Sequence, residues 1–247
     1  MIREAVILMA GMGSRLGGPD RVTFKPFVPI GGRPLISYAL NSFARAGVQK
    51  LHVVVGDRGD QLAAELAQLL PSEMSLNPIP NPEWRKQNGI SVLCAAGHVK
   101  APFFLAMGDH LFEYTILEKL IHSAERASLN LAVDRKIASI FDLDDAMKVQ
   151  TASGRVTAIG KTLPEFDAID TGIFVCPDEL FIYLQRARKE GDCGLADGVR
   201  LMAEDAKVRA IDIGDAWWQD VDTPPMQERA EQESIRLRGT SSGAAAQ

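Results

Sequence analysis

The sequence predicts an α/β protein, a mostly parallel sheet with helices on both faces and a small antiparallel addition. Two observations predict it. Short apolar runs at 5–9, 51–55, 103–107 and 129–133 have the length and content of buried strands, and helical patterns at 35–46, 61–70, 90–96 and 114–127 fall between them. Strands alternating with helices connect by right-handed crossovers, which place helices on both sides of a Rossmann-like sheet.

Each element has a local reason. The run at 5–9 leads into Ala10 and Gly11, and Pro19, Pro26, Pro29 and Pro34 then keep the chain extended until Leu35. The helix over 114–127 sets Leu117, Leu120, Ile121 and Ala124 on one face. Gly47 and Gly97, just past helical patterns, read as C-terminal caps. From residue 147 the character changes: segments 147–151 and 156–161, joined by Ser153-Gly154-Arg155, read as a hairpin, followed by a strand over 168–175. Added to a parallel core, these short antiparallel strands would form a lid or side wall. Helical patterns return at 178–189, 195–204 and 224–236. Residues 1–236 are expected to form a single domain, and 237–247, a stretch without periodicity, a disordered tail.

Composition narrows the classes of function. With 247 residues, 46% hydrophobic and 24% charged, the chain can bury one substantial core. No apolar run approaches the roughly 20 residues of a spanning helix, and the start does not read as a signal peptide, so the expected compartment is the cytoplasm, without membrane insertion. The net charge of −5 argues against a broad nucleic-acid surface, which needs clustered Lys and Arg. Cys94, Cys176 and Cys193 lack metal-ligand spacing and read as reduced and mostly buried, and the four histidines form no ligand set.

The stretch Ala10-Gly11-Met12-Gly13-Ser14-Arg15-Leu16-Gly17, just after the first strand, is a phosphate cradle, because its backbone N–H groups can converge on phosphate oxygens. It is not a dinucleotide fingerprint, since the third glycine is displaced and prolines replace the helix. Nor is it a P-loop, which needs Lys and Ser/Thr directly after its last glycine. The cations sit instead at Arg15 and Lys25, a spacing that suits a triphosphate held from two sides.

These residues carry a resemblance. L-x-A-G-x-G-x-R-L, then Lys25-Pro26, then G-G-R-P-L-I, resembles the signature of the sugar-phosphate nucleotidyltransferases, which join a nucleoside triphosphate to a phosphorylated sugar or polyol and release pyrophosphate. Met9 and Phe24 depart from the usual residues without removing a charge or a glycine. The resemblance implies the nucleotidyltransferase fold, a nucleotide loop at Ala10, Gly11, Met12 and Gly13, and catalytic cations at Arg15 and Lys25.

Asp109 follows the strand at 103–107 and so lies where open α/β sheets bind ligands. An Asp after a strand is usually a turn former, but beside a phosphate loop it suits a hard cation that keeps phosphate oxygens in its shell. The resemblance makes it a Mg²⁺ ligand and carries the family's second metal-binding turn onto Asp220, in Trp217-Trp218-Gln219-Asp220-Val221-Asp222-Thr223-Pro224, with Asp222 the weaker candidate. In the same segment Thr223 reads as a helix N-cap. Asn88, Gly89 and Ser91 open a helix and can be caps. They also offer what a base-edge pocket needs, and N-G-x-S-V-L resembles the cytidylyltransferase version of the motif. Val133-Asp134-Arg135, Gly160-Lys161 and Asp170-Thr171-Gly172 are scattered charges of the kind usually solvated. Taken in order, they closely resemble the CTP:inositol-1-phosphate cytidylyltransferases. That resemblance assigns the acceptor phosphate to Lys161 and ring hydroxyls to Asp134 and Asp170.

The expected activity is transfer of CMP from CTP to a polyol or sugar phosphate, inositol 1-phosphate first, giving CDP-inositol and pyrophosphate with Mg²⁺ as cofactor. The alternatives are the same chemistry on phosphocholine or a hexose 1-phosphate, and a nucleotide-binding module without turnover. The expected partners are CTP and the phosphorylated acceptor, with a homodimer left open.

Overall fold

A computed structural model describes residues 1–11 and 24–241. Its elements run β1 (Glu4–Met9), β2 (Pro29–Ile30), β3 (Arg33–Pro34), α1 (Leu35–Arg45), β4 (Lys50–Val55), α2 (Gly59–Ala67), β5 (Ser75–Pro80), α3 (Asn88–Cys94) and β6 (Phe103–Met107). They continue through β7 (His110–Phe112), α4 (Tyr114–Ser123), β8 (Leu129–Asp134), β9 (Lys148–Ala152), β10 (Arg155–Gly160) and β11 (Ala168–Cys176). The last are α5 (Glu179–Ala187), α6 (Leu195–Glu204), β12 (Val208–Asp212), β13 (Trp218–Asp220) and α7 (Pro224–Ser241).

The nine-stranded sheet has the order β5-β4-β1-β6-β11-β8-β12-β10-β9. Alternation along β1 shows why it is buried: Val6 and Leu8 join the cluster under α3, α5 and α6, while Ala5, Ile7 and Met9 join the one under α1, α2 and α4. At the end of α1, Gly47 has φ +83°, and the bonds Gly47 N to Ala44 O and Val48 N to Phe43 O close a Schellman cap. The buried face of α4 is Ile116, Leu117 and Leu120, and Ile121, expected on that face, is exposed because a face that includes Ile116 turns position 121 to its edge.

The sheet departs from expectation in its centre. The strand read over 168–175 as part of a lid is β11, which lies antiparallel between β6 and β8 in the middle of the sheet. All but Asp170 of its residues are buried, and a strand apolar on both faces can be satisfied only in a sheet interior. The hairpin β9–β10 is therefore the true addition, and the sheet curls until β9 also pairs with the start of β11. β5 escapes a sequence reading because Pro78 and Pro80 argue against a strand. It is tolerated at the sheet edge, where it pairs with β4 alone. β12 gives no apolar run because Arg209 and Asp212 interrupt it, and the β7–β13 and β2–β3 ribbons are too short for a periodic signal. α7 runs past the expected end at residue 236, so the segment expected as tail begins as helix.

Candidate functional site

The carboxyl ends of β1 and β6 and the middle of β11 open onto one cleft of about 1050 Å³. Ala10, Gly11, Asn88, Ser91, Asp109, Asp134, Lys161, Asp170 and Asp220 all line it. Met12, Gly13 and Arg15, expected in the phosphate loop, lie outside the described residues.

Lys25 begins a 3₁₀ turn, Lys25–Phe27, and Phe27 and the preceding Phe24, edge to face with each other, pack against the core under α1. That turn aims the ammonium at two carboxylates. Lys25 Nζ donates to Asp109 Oδ2 at 2.6 Å and also to Asp222 Oδ1. Asp109 is tied to the sheet by its neighbour, whose amide bonds Leu8 O, and its carbonyl accepts from Val221 N at 2.9 Å. The β7–β13 ribbon sets Asp220 opposite His110, which brings the whole 217–222 turn to Asp109. Sequence reasoning ranked Asp222 below Asp220, yet Asp222 shares Lys25 with Asp109.

His110 connects the acidic turns. Its Nδ1 lies 2.7 Å from Asp109 Oδ1, and its ring stacks on Trp218 at 5.9 Å between centroids. On its other side a Cβ at Gly172 would stand 2.6 Å from Nε2, and Gly172 itself has φ +73°, so glycine alone fits. Burial opposes the charge on Asp109, but the hydrogen bond and charge of His110, and then those of Lys25, hold its carboxyl well below the usual range. Burial also opposes protonation of His110, and Asp109 and then Asp220 outweigh it and raise the imidazole.

Asp134 is 3% exposed and already occupied. Its Oδ1 accepts the Lys136 amide and ammonium, each at 2.8 Å, and its Oδ2 accepts Trp218 Nε1 at 3.0 Å. Lys136 Nζ also donates to the carbonyls of Gly214 and Ala216. Asp134 thus holds the strand bearing Trp218 and Asp220 against the end of β8, a duty the sequence did not reveal. Asp170, the other residue expected to bond ring hydroxyls, also lines the cleft. There the β8–β11 register shifts, and such a bulge re-aims a side chain, here into the cleft. Lys161 stands half-exposed on the hairpin wall, paired with Asp145, and Lys148 Nζ donates to its carbonyl at 2.8 Å.

Asn88 and Ser91 face the same end of the cleft as Ala10 and Gly11, but each also has a protein partner. Leu195 N donates to Asn88 Oδ1 at 2.8 Å, and Asn81 Nδ2 donates to Ser91 Oγ at 3.0 Å. At Gly89 a Cβ would lie 2.5 Å from Cys193 O, so packing against that carbonyl requires glycine.

Asp170 carries a pH prediction. Burial pushes its carboxyl up to about 6, against the opposing Gly172 N–H bond and His110 charge. The folded state therefore holds this proton more tightly than the unfolded chain, and its stability falls as pH rises from about 4 to about 6, staying lower above that. Asp170→Asn, which keeps an acceptor for Gly172, should melt like the wild type at pH 4 and higher at pH 7.5, by on the order of 1 kcal/mol after solvent screening. Identical melting differences at both values would remove the buried-proton account.

Among the described residues no group of three His, Cys, Asp or Glu side chains converges into a closed metal cage. A divalent ion of the Mg²⁺ type needs less, since it takes one or two carboxylates and completes its shell with phosphate oxygens and water. Asp109 with Asp220 or Asp222 is a hard oxygen donor set of that kind.

Comparisons with known proteins identify the family of the chain. Residues 5–139 match the MobA-like NTP transferase domain. The chain is 34% identical over 244 residues to the bifunctional IPC transferase and DIPP synthase of Thermococcus kodakarensis, covering 97% of this chain and 53% of that protein. It is 31% identical to the protein of the same description from Archaeoglobus fulgidus, covering 98% of this chain and 46% of that one. The chain thus spans about half the length of the curated relatives it matches. The solved inositol-1-phosphate CTP transferase from T. maritima superposes with a TM-score of 0.84 over 94% of this chain and 95% of that one, at 24% identity, which establishes a shared fold. The matched segment runs from β1 past β8 and includes Lys25, Asn88, Ser91 and Asp109, and the chain belongs to the MobA-like NTP transferase domain family.

Proposed function

We propose that this chain transfers CMP from CTP to a polyol or sugar phosphate, inositol 1-phosphate foremost, giving CDP-inositol and pyrophosphate in the cytoplasm. The observation that carries the proposal is the Asp109–Lys25–Asp222 clasp, set where β1 and β6 deliver the Ala10–Gly11 backbone to one end of a cleft with Lys161 and Asp170 on its walls. The relatives named for IPC transfer and the structure named for inositol-1-phosphate CTP transfer support the choice of substrates.

An oxygen of the acceptor phosphate attacks the α-phosphorus in line, and the bond from that phosphorus to the pyrophosphate oxygen breaks. The nucleophile is a phosphomonoester, largely dianionic at neutral pH with a second pKa near 6, so no general base is needed. A divalent cation, Mg²⁺, held by Asp109 with Asp220 or Asp222, would supply charge neutralisation on the reacting and leaving phosphates. Lys25 contributes positive charge at the same place and keeps two carboxylates aligned. His110, locked by Trp218 and Gly172, fixes Asp109. Lys161 takes the acceptor phosphate and Asp170 a ring hydroxyl. Catalysis is then positioning and electrostatics.

The test is pyrophosphate release with the nucleoside triphosphates crossed against inositol 1-phosphate, phosphocholine and hexose 1-phosphates. CTP with inositol 1-phosphate should give the highest kcat/KM. Preference for another acceptor would replace the substrate assignment. No release with any pair would leave a binding module.

A further inference from the structure

Asn81 follows β5 and is 3% exposed, with its backbone N–H donating to Val55 O at 2.8 Å. Its Oδ1 accepts the backbone N–H of Glu83 at 2.8 Å. A backbone N–H can be met only by the oxygen of a side-chain amide, so the orientation of this amide is fixed and its Nδ2 faces the other way. Nδ2 donates to Ser91 Oγ at 3.0 Å, and the pair is buried. Ser91 is 4% exposed and forms part of the cleft wall near Asn88. A serine hydroxyl can rotate to donate or accept, and would serve bases of either polarity. This one already accepts from Asn81, and among the described residues its own proton has no acceptor.

We propose that Asn81 is a positioning residue that fixes Ser91 as a hydrogen-bond donor toward the base, so that this wall takes a pyrimidine with an unprotonated ring nitrogen in preference to one with an N–H. The inference rests on the reading that this end of the cleft holds the nucleotide. Cytosine and uracil both offer the carbonyl at C2, so it cannot tell them apart. They differ at N3, an acceptor in cytosine and a donor in uracil, and at C4, an amino donor in cytosine and a carbonyl acceptor in uracil; the Ser91 proton is set against N3, where a donor favours cytosine. A hydroxyl whose proton is committed to the pocket meets cytosine with a bond and uracil with two opposed donors, and an unpaired buried donor is what makes such pockets selective. The orientation is inherited along the chain Glu83 N–H, Asn81 amide, Ser91 hydroxyl, and the residue that sets the polarity does not itself line the cleft.

Asn81→Asp reverses the last link. The introduced carboxylate can still accept from Glu83 but draws the Ser91 proton to itself, and a lone pair turns toward the base. Dissociation constants for CTP and UTP, measured by titration calorimetry on the intact chain, together with kcat/KM for each, read the effect. The wild type should prefer CTP, and Asn81→Asp should cut that preference by at least about tenfold, the scale of one hydrogen bond in a pocket, with UTP binding held or improved. Ser91→Ala should also cut the preference but give UTP no gain, and it serves as the test if the Asn81 variant does not fold. A folded Asn81→Asp that weakens CTP and UTP by the same factor, or a Ser91→Ala that keeps the wild-type ratio, would overturn the proposal. A wild type that binds neither nucleotide would instead overturn the underlying functional reading.

Discussion

Lys25→Ala is expected to lower kcat by about 10²–10³-fold, the scale of losing one preorganised charge at a reacting phosphate. The structure adds a second consequence that the sequence did not suggest. Lys25 is 13% exposed and sits between Asp109 and Asp222, so its removal leaves two partly buried carboxylates without their shared cation. Breaking a buried pair by deleting one partner costs far more than the pair's net worth, because the remaining charge stays desolvated. The variant should therefore also melt lower at neutral pH and recover toward the wild type as the pH falls and one carboxylate protonates. Steady-state pyrophosphate release and thermal unfolding across pH 4–8 check both effects. Wild-type kcat would move the triphosphate site away from this clasp.

Asp109→Asn should have the larger kinetic effect, roughly a thousandfold or more in kcat, because loss of a metal-bearing carboxylate removes several kcal/mol of charge stabilisation. A carboxylate at a strand end, read from sequence alone, would contribute little to folding. Here one oxygen bonds Lys25 and the other His110, so the neutral amide loses a charge-assisted bond to each. A modest loss of stability, on the order of 1–2 kcal/mol, should accompany the kinetic loss. Kinetics at saturating CTP, with Mg²⁺ varied, separate the two: a defect relieved by excess metal points to weakened metal binding. Wild-type turnover at ordinary Mg²⁺ would exclude Asp109 from the reacting centre.

The features legible in the sequence are local. The apolar runs became β1, β4, β6 and β8, the helical patterns became helices within a few residues, and Gly47 caps α1 with the left-handed φ expected of it. Asp109 could be placed at a cleft because a residue after a parallel strand in an α/β sheet has only one place to be. These readings rest on periodicity, turn chemistry and crossover handedness, which act over a few residues. Tertiary structure decided everything that depends on a partner far along the chain. Lys25 meets Asp222 across 197 positions, β11 enters the middle of the sheet instead of roofing it, and Asp134 accepts the Trp218 indole from 84 positions away. Each of these is a competition among several chemically equivalent partners. An Asp in the sequence announces that it can accept a hydrogen bond, and only the packing of the surrounding strands decides whether the donor that reaches it is a lysine, an indole or a substrate.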